Sequence, residues 1–429
     1  MNTFWRKFFA PEVIFAASAA AALSPYVFWY FGYKPHLGVG LEPTYLPALL
    51  WSCGLLAFLA GCRLARKKCG DVIRFRLSQQ NIPITLLLGI GLVAVLIQVY
   101  FAVQDVYGAV PLFDYLSSNG GVEVGTANDQ QRYSGFGQLG LFTASLYALN
   151  ALFLLIVLQW LTWRRGSRVL IALSILAITF AHLLNAKRQG LYSAVFYLLV
   201  GLSIYFGDPI RPFSALLHFR GSRLVTRLFL LTVGALLIFA FGYIASIRTR
   251  GRVEASTEEI VTYLQYPLLN FEAQCVAAGL GPGDSNLWGP LRNLTPYKFG
   301  ELTDAFSSLP PKLVSSAPAG IYEYIHWCWG IAGVILYSFG LGFGTRWLYD
   351  RSLSSLTCLL SYCYSAVALA MAHSNNQILI LSYVPVPLGF VVLVRLMIST
   401  EQGKLRVGRH KTNAETNGVR QWSLAGRLS

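Results

Sequence analysis

The chain has 429 residues, 55% of them apolar and only 12% charged, with a mean hydropathy of +0.52 and a formal net charge of +15. A water-soluble domain carries charge on about a quarter of its residues, so this composition excludes one and describes a protein built into a bilayer. The basic excess reads as membrane topology, and no nucleic-acid partner is expected.

Runs of about 18 to 25 apolar residues read as transmembrane helices, because a helix satisfies its own backbone across roughly 30 Å of hydrocarbon. Ten are expected: Val13–Tyr33, Tyr45–Leu64, Ile82–Val103, Leu139–Trp163, Val169–Leu184, Gly190–Phe206, Leu228–Ile247, Trp327–Leu348, Leu356–Ala372 and Ile378–Met397. Arg6 and Lys7 precede a small-residue run, but the run continues past Tyr30, which points to a retained first helix and not a cleaved signal. With both termini cytoplasmic, 24 of the 34 Lys and Arg residues fall on the cytoplasmic side and 10 outside, the bias that sets orientation.

The expected organisation is an all-α polytopic membrane protein. Residues 1–247 hold spans one to seven with an external loop at 104–138, residues 248–325 form a large external loop with short helices, residues 326–400 hold spans eight to ten, and residues 401–429 form a basic cytoplasmic tail without fixed structure. The seven cysteines include no Cys-x-x-Cys and no His/Cys cluster at metal spacing, and no Asp-x-Asp pair is present. Neither a disulfide framework nor a metal or other cofactor is expected.

In chain order, Lys34–Pro43 joins the first hairpin and the basic turn Arg63–Arg76 follows it. The loop Gln104–Gln138 is rich in Gly, Asn and Ser and holds one basic residue, Arg132, which either snorkels at a helix end or binds an anion through its planar fork of donors. Span five ends outside at Asn185-Ala-Lys187-Arg188-Gln-Gly190. Two adjacent cations on that face need an anionic partner, either internal or exogenous.

The stretch from Arg248 to His326 is the candidate reactive segment. It opens with Arg248, Arg250 and Arg252, followed by the capping-box pattern Ser256-Thr-Glu-Glu259. A further helix is expected from Pro267 to Ala278, stopping at Gly279 and carrying Glu272 either on a solvated face or at the membrane interface. Gly281–Pro290 and Leu309–Gly320 read as turn-rich loops, and Arg292 lies between them. The segment closes on Tyr322-Glu323-Tyr324-Ile-His326-Trp-Cys-Trp-Gly330, where aromatic residues mark the interface. Glu323, His326 and Glu272 are the candidate bases; His326 could equally cap or snorkel. Spans eight to ten hold hardly a formal charge, which weighs against ion-driven transport.

An external array of Arg132, Lys187, Arg188, Arg248, Arg250, Arg252 and Arg292 suits a lipid-linked diphosphate and would stabilise charge on a departing diphosphate. Three stretches carry a resemblance. Gly108-Ala-Val-Pro111-Leu-Phe113 followed by Arg132, the basic turn Asn185–Gly190, and Pro318–Tyr349 entered through an aromatic and Gly-rich doorway are similar, in this order, to motifs of the oligosaccharide repeat-unit polymerases, the Wzy-type O-antigen polymerase family. The resemblance implies an all-helical glycosyltransferase of the C type in the bacterial inner membrane, with its active face periplasmic. It implies transfer of a growing glycan from undecaprenyl diphosphate onto a lipid-linked repeat unit, with a chain-length regulator as a possible partner; Tyr324 is a further candidate substrate-binding residue. Related O-antigen ligases place a catalytic His eleven residues before the Gly pair; here that position is Ala319, so Glu323, His326 or Glu272 would serve instead. The alternatives are a ligase and a lipid-linked oligosaccharide transporter.

Overall fold

The computed structural model describes residues 4–30, 44–66, 73–77, 188–207, 267–284, 320–374, 388–389, 391–392 and 400–404. These form helices α1 (Phe4–Phe8), α2 (Pro11–Tyr30), α3 (Leu46–Ala65), α4 (Arg188–Phe206), α5 (residues 267–278), α6 (Glu323–Arg351) and α7 (Leu356–Ala370). Two strands, β1 (Ile73–Leu77) and β2 (Thr400–Lys404), pair antiparallel with Ile73 opposite Lys404 and Leu77 opposite Thr400. The ladder corrects two expectations: the basic turn after α3 is partly strand, and so is the start of the tail.

α3 and α6 (Leu46–Ala65 and Glu323–Arg351) are long and apolar enough to cross a membrane, and α2, α4 and α7 contain shorter apolar helices. Both long helices are apolar on the outward face as well, with Leu49, Leu56 and Leu64 of α3 and Leu336, Phe343 and Trp347 of α6 exposed. A helix in water turns a polar face outward; one in lipid does not. The other expected spans, Ile82–Val103, Leu139–Trp163, Val169–Leu184, Leu228–Ile247 and Ile378–Met397, fall wholly or largely outside the described residues.

The two long helices run parallel because a three-and-four spaced stripe on each is small or aromatic. Leu50, Trp51, Gly54, Phe58, Gly61 and Cys62 of α3 are buried against Val334, Ser338, Gly342 and Thr345 of α6. A Cβ on Gly61 would strike the backbone of Phe339, and one on Gly342 would strike the backbone of Phe58. Small residues at such a crossing let the backbones touch where lipid offers no hydrophobic drive for association. The hairpin α2–α3 closes through Phe15, stacked on Phe58 with ring centroids 4.1 Å apart. Inside α2, Pro25 lacks the N–H that would reach the Ala21 carbonyl, and the Ser24 hydroxyl donates to that carbonyl at 2.8 Å in its place.

α6 is broken at Gly330, whose φ of 59° and ψ of −156° leave the helical region. In a regular helix the Ile331 N–H would bond the Trp327 carbonyl. Here Ile331 N–H bonds Leu280 O at 3.0 Å, while Trp327 O accepts from Gly283 N–H at 2.8 Å and Asp284 N–H at 3.1 Å. Both broken backbone groups are thus satisfied by residues 280–284, and only glycine fits position 330, where a Cβ would press on Leu280 O and the Gly281 backbone.

The break is a reversal. The Tyr322 hydroxyl and Ser338 Oγ lie 2.8 Å apart, although sixteen residues of straight helix would separate them by about 24 Å. A Cβ on Gly333 would likewise approach Ile325 O. Residues 323–329 therefore fold back beside residues 331–338 as a helical hairpin, with Tyr322 seated against Trp51 (ring centroids 4.8 Å) and Gly54 of α3. The expected continuous eighth span, Trp327–Leu348, is corrected accordingly: the uninterrupted helix begins after Gly330.

At the opposite end of α6 the bundle holds a buried ion network. Arg346 reaches Glu12 Oε1 through Nη1 and Asp350 Oδ1 through Nη2, each at 2.8 Å. The guanidinium groups of Arg6 and Arg346 lie over the Tyr349 ring at 5.6 and 5.0 Å, and the Tyr349 and Tyr362 hydroxyls donate to Arg6 O at 2.7 Å and Phe9 O at 2.6 Å. The expectation of a nearly uncharged bundle is revised here, since α6 carries charge within its last two turns.

Candidate functional site

The end of the bundle away from the ion network is built from the α6 hairpin, α5, the start of α3 and the end of α7. Residues 267–278 form the helix the sequence pattern predicts, and Gly279 closes it at φ +63° with its N–H on Cys275 O. The hairpin is tied to α7 by Ile321 N–H bonding Ala372 O at 2.8 Å, and the end of α7 to α2 by His373 N–H bonding Ser18 Oγ at 2.8 Å.

His326 is completely buried on the first turn of α6. Its Nε2 lies 3.0 Å from Gly279 O, and the Phe271 ring meets it edge-on at 5.6 Å between centroids. A carbonyl oxygen only accepts, so Nε2 carries the proton and Nδ1 holds the lone pair. Nδ1 has no hydrogen-bond partner among the described residues. The loop carbonyl thus fixes the tautomer and leaves Nδ1 a buried lone pair without a partner among the described residues.

Glu272 is also fully buried, so the alternative of a solvated face is set aside. Its Oε1 accepts from Thr44 N–H at 2.8 Å, and Oε2 lies 3.5 Å from the Tyr26 hydroxyl, which donates to Thr44 O at 2.9 Å. Burial raises its pKa, and the bonds from Thr44 and Tyr26 oppose the rise. The carboxylate fastens α5 to the turn that starts α3, which makes Glu272 a positioning group. Glu323 is buried near His326 in sequence, with its N–H directed to Gly320 O at 3.4 Å, and Tyr324 is half-buried on the same turn.

The structure brings Phe271 of α5 onto His326 and leaves Glu272 on a flank facing Thr44. Arg188 begins α4. Arg132, Lys187, Arg248, Arg250, Arg252 and Arg292 lie outside the described residues, as does the loop 104–138. Among the described residues no group of His, Cys, Asp or Glu is arranged to hold a metal ion.

Sequence reading missed the other buried polar residues of α5. Asn270 and Gln274 are both fully buried, and Gln274 has no hydrogen-bond partner at either amide atom among the described residues. A signal existed: in Leu268-Leu-Asn-Phe-Glu-Ala-Gln-Cys275 the polar residues point to more than one helical face, so no single solvated stripe can take them all. No family model matches the chain, nor does any curated protein or solved structure.

Proposed function

We propose that the chain is a ten-span inner-membrane polymerase. In this reading it joins undecaprenyl-diphosphate-linked oligosaccharide repeat units on the periplasmic face and releases undecaprenyl diphosphate. The observation that carries the proposal is His326, fully buried on a doubled-back helix, with its proton held on Nε2 by Gly279 O and Nδ1 open. Irregular backbone at membrane depth is tolerated only where protein buries it or a polar cavity adjoins it. A helix broken in this way with a base on its short arm is suited to chemistry on a polar group brought to the membrane.

In this mechanism His326 Nδ1 accepts the proton of the acceptor sugar hydroxyl as that oxygen attacks the donor's anomeric carbon. The bond from the anomeric carbon to the diphosphate oxygen breaks, and its electron pair leaves with the diphosphate. The external cations, Arg132, Lys187, Arg188, Arg248, Arg250, Arg252 and Arg292, neutralise that leaving group. General-base assistance of this kind contributes about 10² to 10⁴ in rate.

Two contacts support the even span count. The β1–β2 pair sets residues after α3 beside residues after the last apolar run, and Glu12 with Arg346 sets the N-terminus beside the end of α6. Segments in contact outside the bilayer share a side, so an even number of crossings separates each pair. Reporter fusions at Asn286 and Asn417 should report opposite sides, periplasmic and cytoplasmic; a common side would refute the topology.

A second reading, a lipid-linked oligosaccharide transporter, is favoured by the broken α6 and the buried Arg346 network, since transporters bind substrate at discontinuous helices and bury charge. Extension of a purified lipid-linked repeat unit by the purified protein decides between them. Longer glycans on the lipid support the polymerase, whereas movement of the unit without a new glycosidic bond supports the transporter. A ligase would need a lipid A-core acceptor.

A further inference from the structure

α5 is laid against the α6 hairpin through one helical face. Phe271 supplies the ring that meets His326 and lies 6.2 Å from the Tyr322 ring, and Gly279, just past the helix end, supplies the carbonyl that holds His326 Nε2. Gln274 stands three residues after Phe271 and one before Cys275, on that same face. It is fully buried, and both its amide oxygen and its amide nitrogen lack hydrogen-bond partners among the described residues. His326 Nδ1 is unpartnered in the same way.

Buried amides are almost always bonded, and one left open at both ends marks a missing partner. The missing partner must donate to one atom and accept from the other. Hydroxyl groups do both, those of water and of sugars alike, and neighbouring hydroxyls on one sugar ring present such pairs at amide spacing. A sulfate or halide ion would offer only acceptors, and a metal ion would offer no acceptor for the amide N–H. The apolar wall on this face, Phe271 and Tyr322, suits the C–H face of a pyranose ring.

We propose that Gln274 and His326 form a carbohydrate subsite, in which the Gln274 amide grips hydroxyls of the acceptor sugar beside the one that His326 deprotonates. This rests on the polymerase reading for the sugar's role as acceptor, but not for its being bound. Gln274 is then a specificity-determining residue, kept polar at the expense of fold stability.

The test is Gln274→Met in the full chain, purified in nanodiscs. Methionine matches the volume of glutamine and removes the unmet polar atoms. KM for the lipid-linked acceptor should rise about tenfold or more with a smaller change in kcat, while the thermal unfolding midpoint stays level or rises. An unchanged KM, or a lowered midpoint, overturns the subsite, because a structural glutamine would destabilise on removal. Should wild type form no polymer, D-glucose, N-acetyl-D-glucosamine and D-glucuronate are each added to wild type and variant during thermal unfolding. A midpoint rise in wild type that Gln274→Met abolishes keeps the subsite while the polymerase reading falls, and no rise with any of the three overturns both.

Discussion

The two ends of the bundle bury polar groups to opposite effect. At the Arg346 end the charged groups are anchored by strong contacts: the guanidinium bridges two carboxylates at 2.8 Å, and the tyrosine hydroxyls close onto main-chain carbonyls at 2.6 and 2.7 Å, although Arg6 Nε, Glu12 Oε2 and Arg346 Nε have no hydrogen-bond partner among the described residues. At the His326 end Gln274 has no partner for its amide among the described residues, and His326 uses one nitrogen of two. Pairing converts buried charge into a fastening for α2 and α6, whereas open valences destabilise a fold and persist where something else occupies them. On the proposed function, the contrast separates a structural end from a working one.

The largest effect expected from breaking that contrast is at His326. His326→Ala should lower kcat in the extension assay by about 10² to 10⁴ while folded protein still accumulates in the membrane. His326→Asn should be equally inactive, because an amide oxygen restores an acceptor but takes up no proton. Turnover above about a tenth of wild type in His326→Asn would make the imidazole a binding group only. At the other end the split should reverse. Arg346→Ala leaves the part-buried carboxylates of Glu12 and Asp350 without their shared cation and should destabilise by about 1 to 3 kcal/mol. Abundance and thermal midpoint should fall, with kcat per folded molecule unchanged.

The junction between the ends sharpens the comparison. Gly330→Ala places a Cβ at φ 59° and ψ −156°, backbone essentially restricted to glycine, and against Leu280 O, so it should destabilise the hairpin by about 1 to 3 kcal/mol before any clash is counted. Because residues 280–284 are bonded to the break, their amides should exchange with solvent faster in this variant. Unchanged exchange there would mean that the strap does not depend on the reversal.

How much of this was legible follows from what sequence periodicity can see. The apolar runs of α3 and α7 and the helix from Pro267 to Ala278 are local patterns, and each is found where the pattern puts it. The reversal at Gly330 was hidden because Tyr324-Ile-His326-Trp-Cys-Trp-Gly-Ile-Ala-Gly reads as uninterrupted apolar helix; the break depends on Leu280 and Gly283, some fifty residues upstream. The Arg346 network is not legible in the sequence because its partner Glu12 lies at the far end of the chain. His326 was found as a residue type at an interface, but its tautomer depends on Gly279 O, a main-chain atom that no motif encodes. The burial of Gln274 in particular is not legible because it depends on how α5 packs against the rest of the bundle, which no local pattern encodes.

The smallest effect expected is at Glu272, and it tests whether that carboxylate belongs to the working end as a base or as a fastening. Burial raises its pKa in the folded chain, against the opposing bonds from Thr44 and Tyr26. A carboxyl group with a raised folded pKa contributes most when protonated, below its unfolded pKa of about 4.3, and loses that contribution as pH rises through the folded value. Glu272→Gln keeps a carbonyl oxygen for the Thr44 N–H and removes the titration. Its thermal midpoint relative to wild type should therefore improve as pH rises above the unfolded value of about 4.3. The groups around the carboxyl are Tyr26, Thr44 and Cys275, and none of them carries a charge that titrates in this range. Turnover in the extension assay should stay within about threefold of wild type, since the amide preserves the tie between α5 and the start of α3. A fall in kcat comparable to that of His326→Ala would return Glu272 to the reacting groups, and a flat midpoint difference across the same pH range would show that its ionisation is not linked to folding.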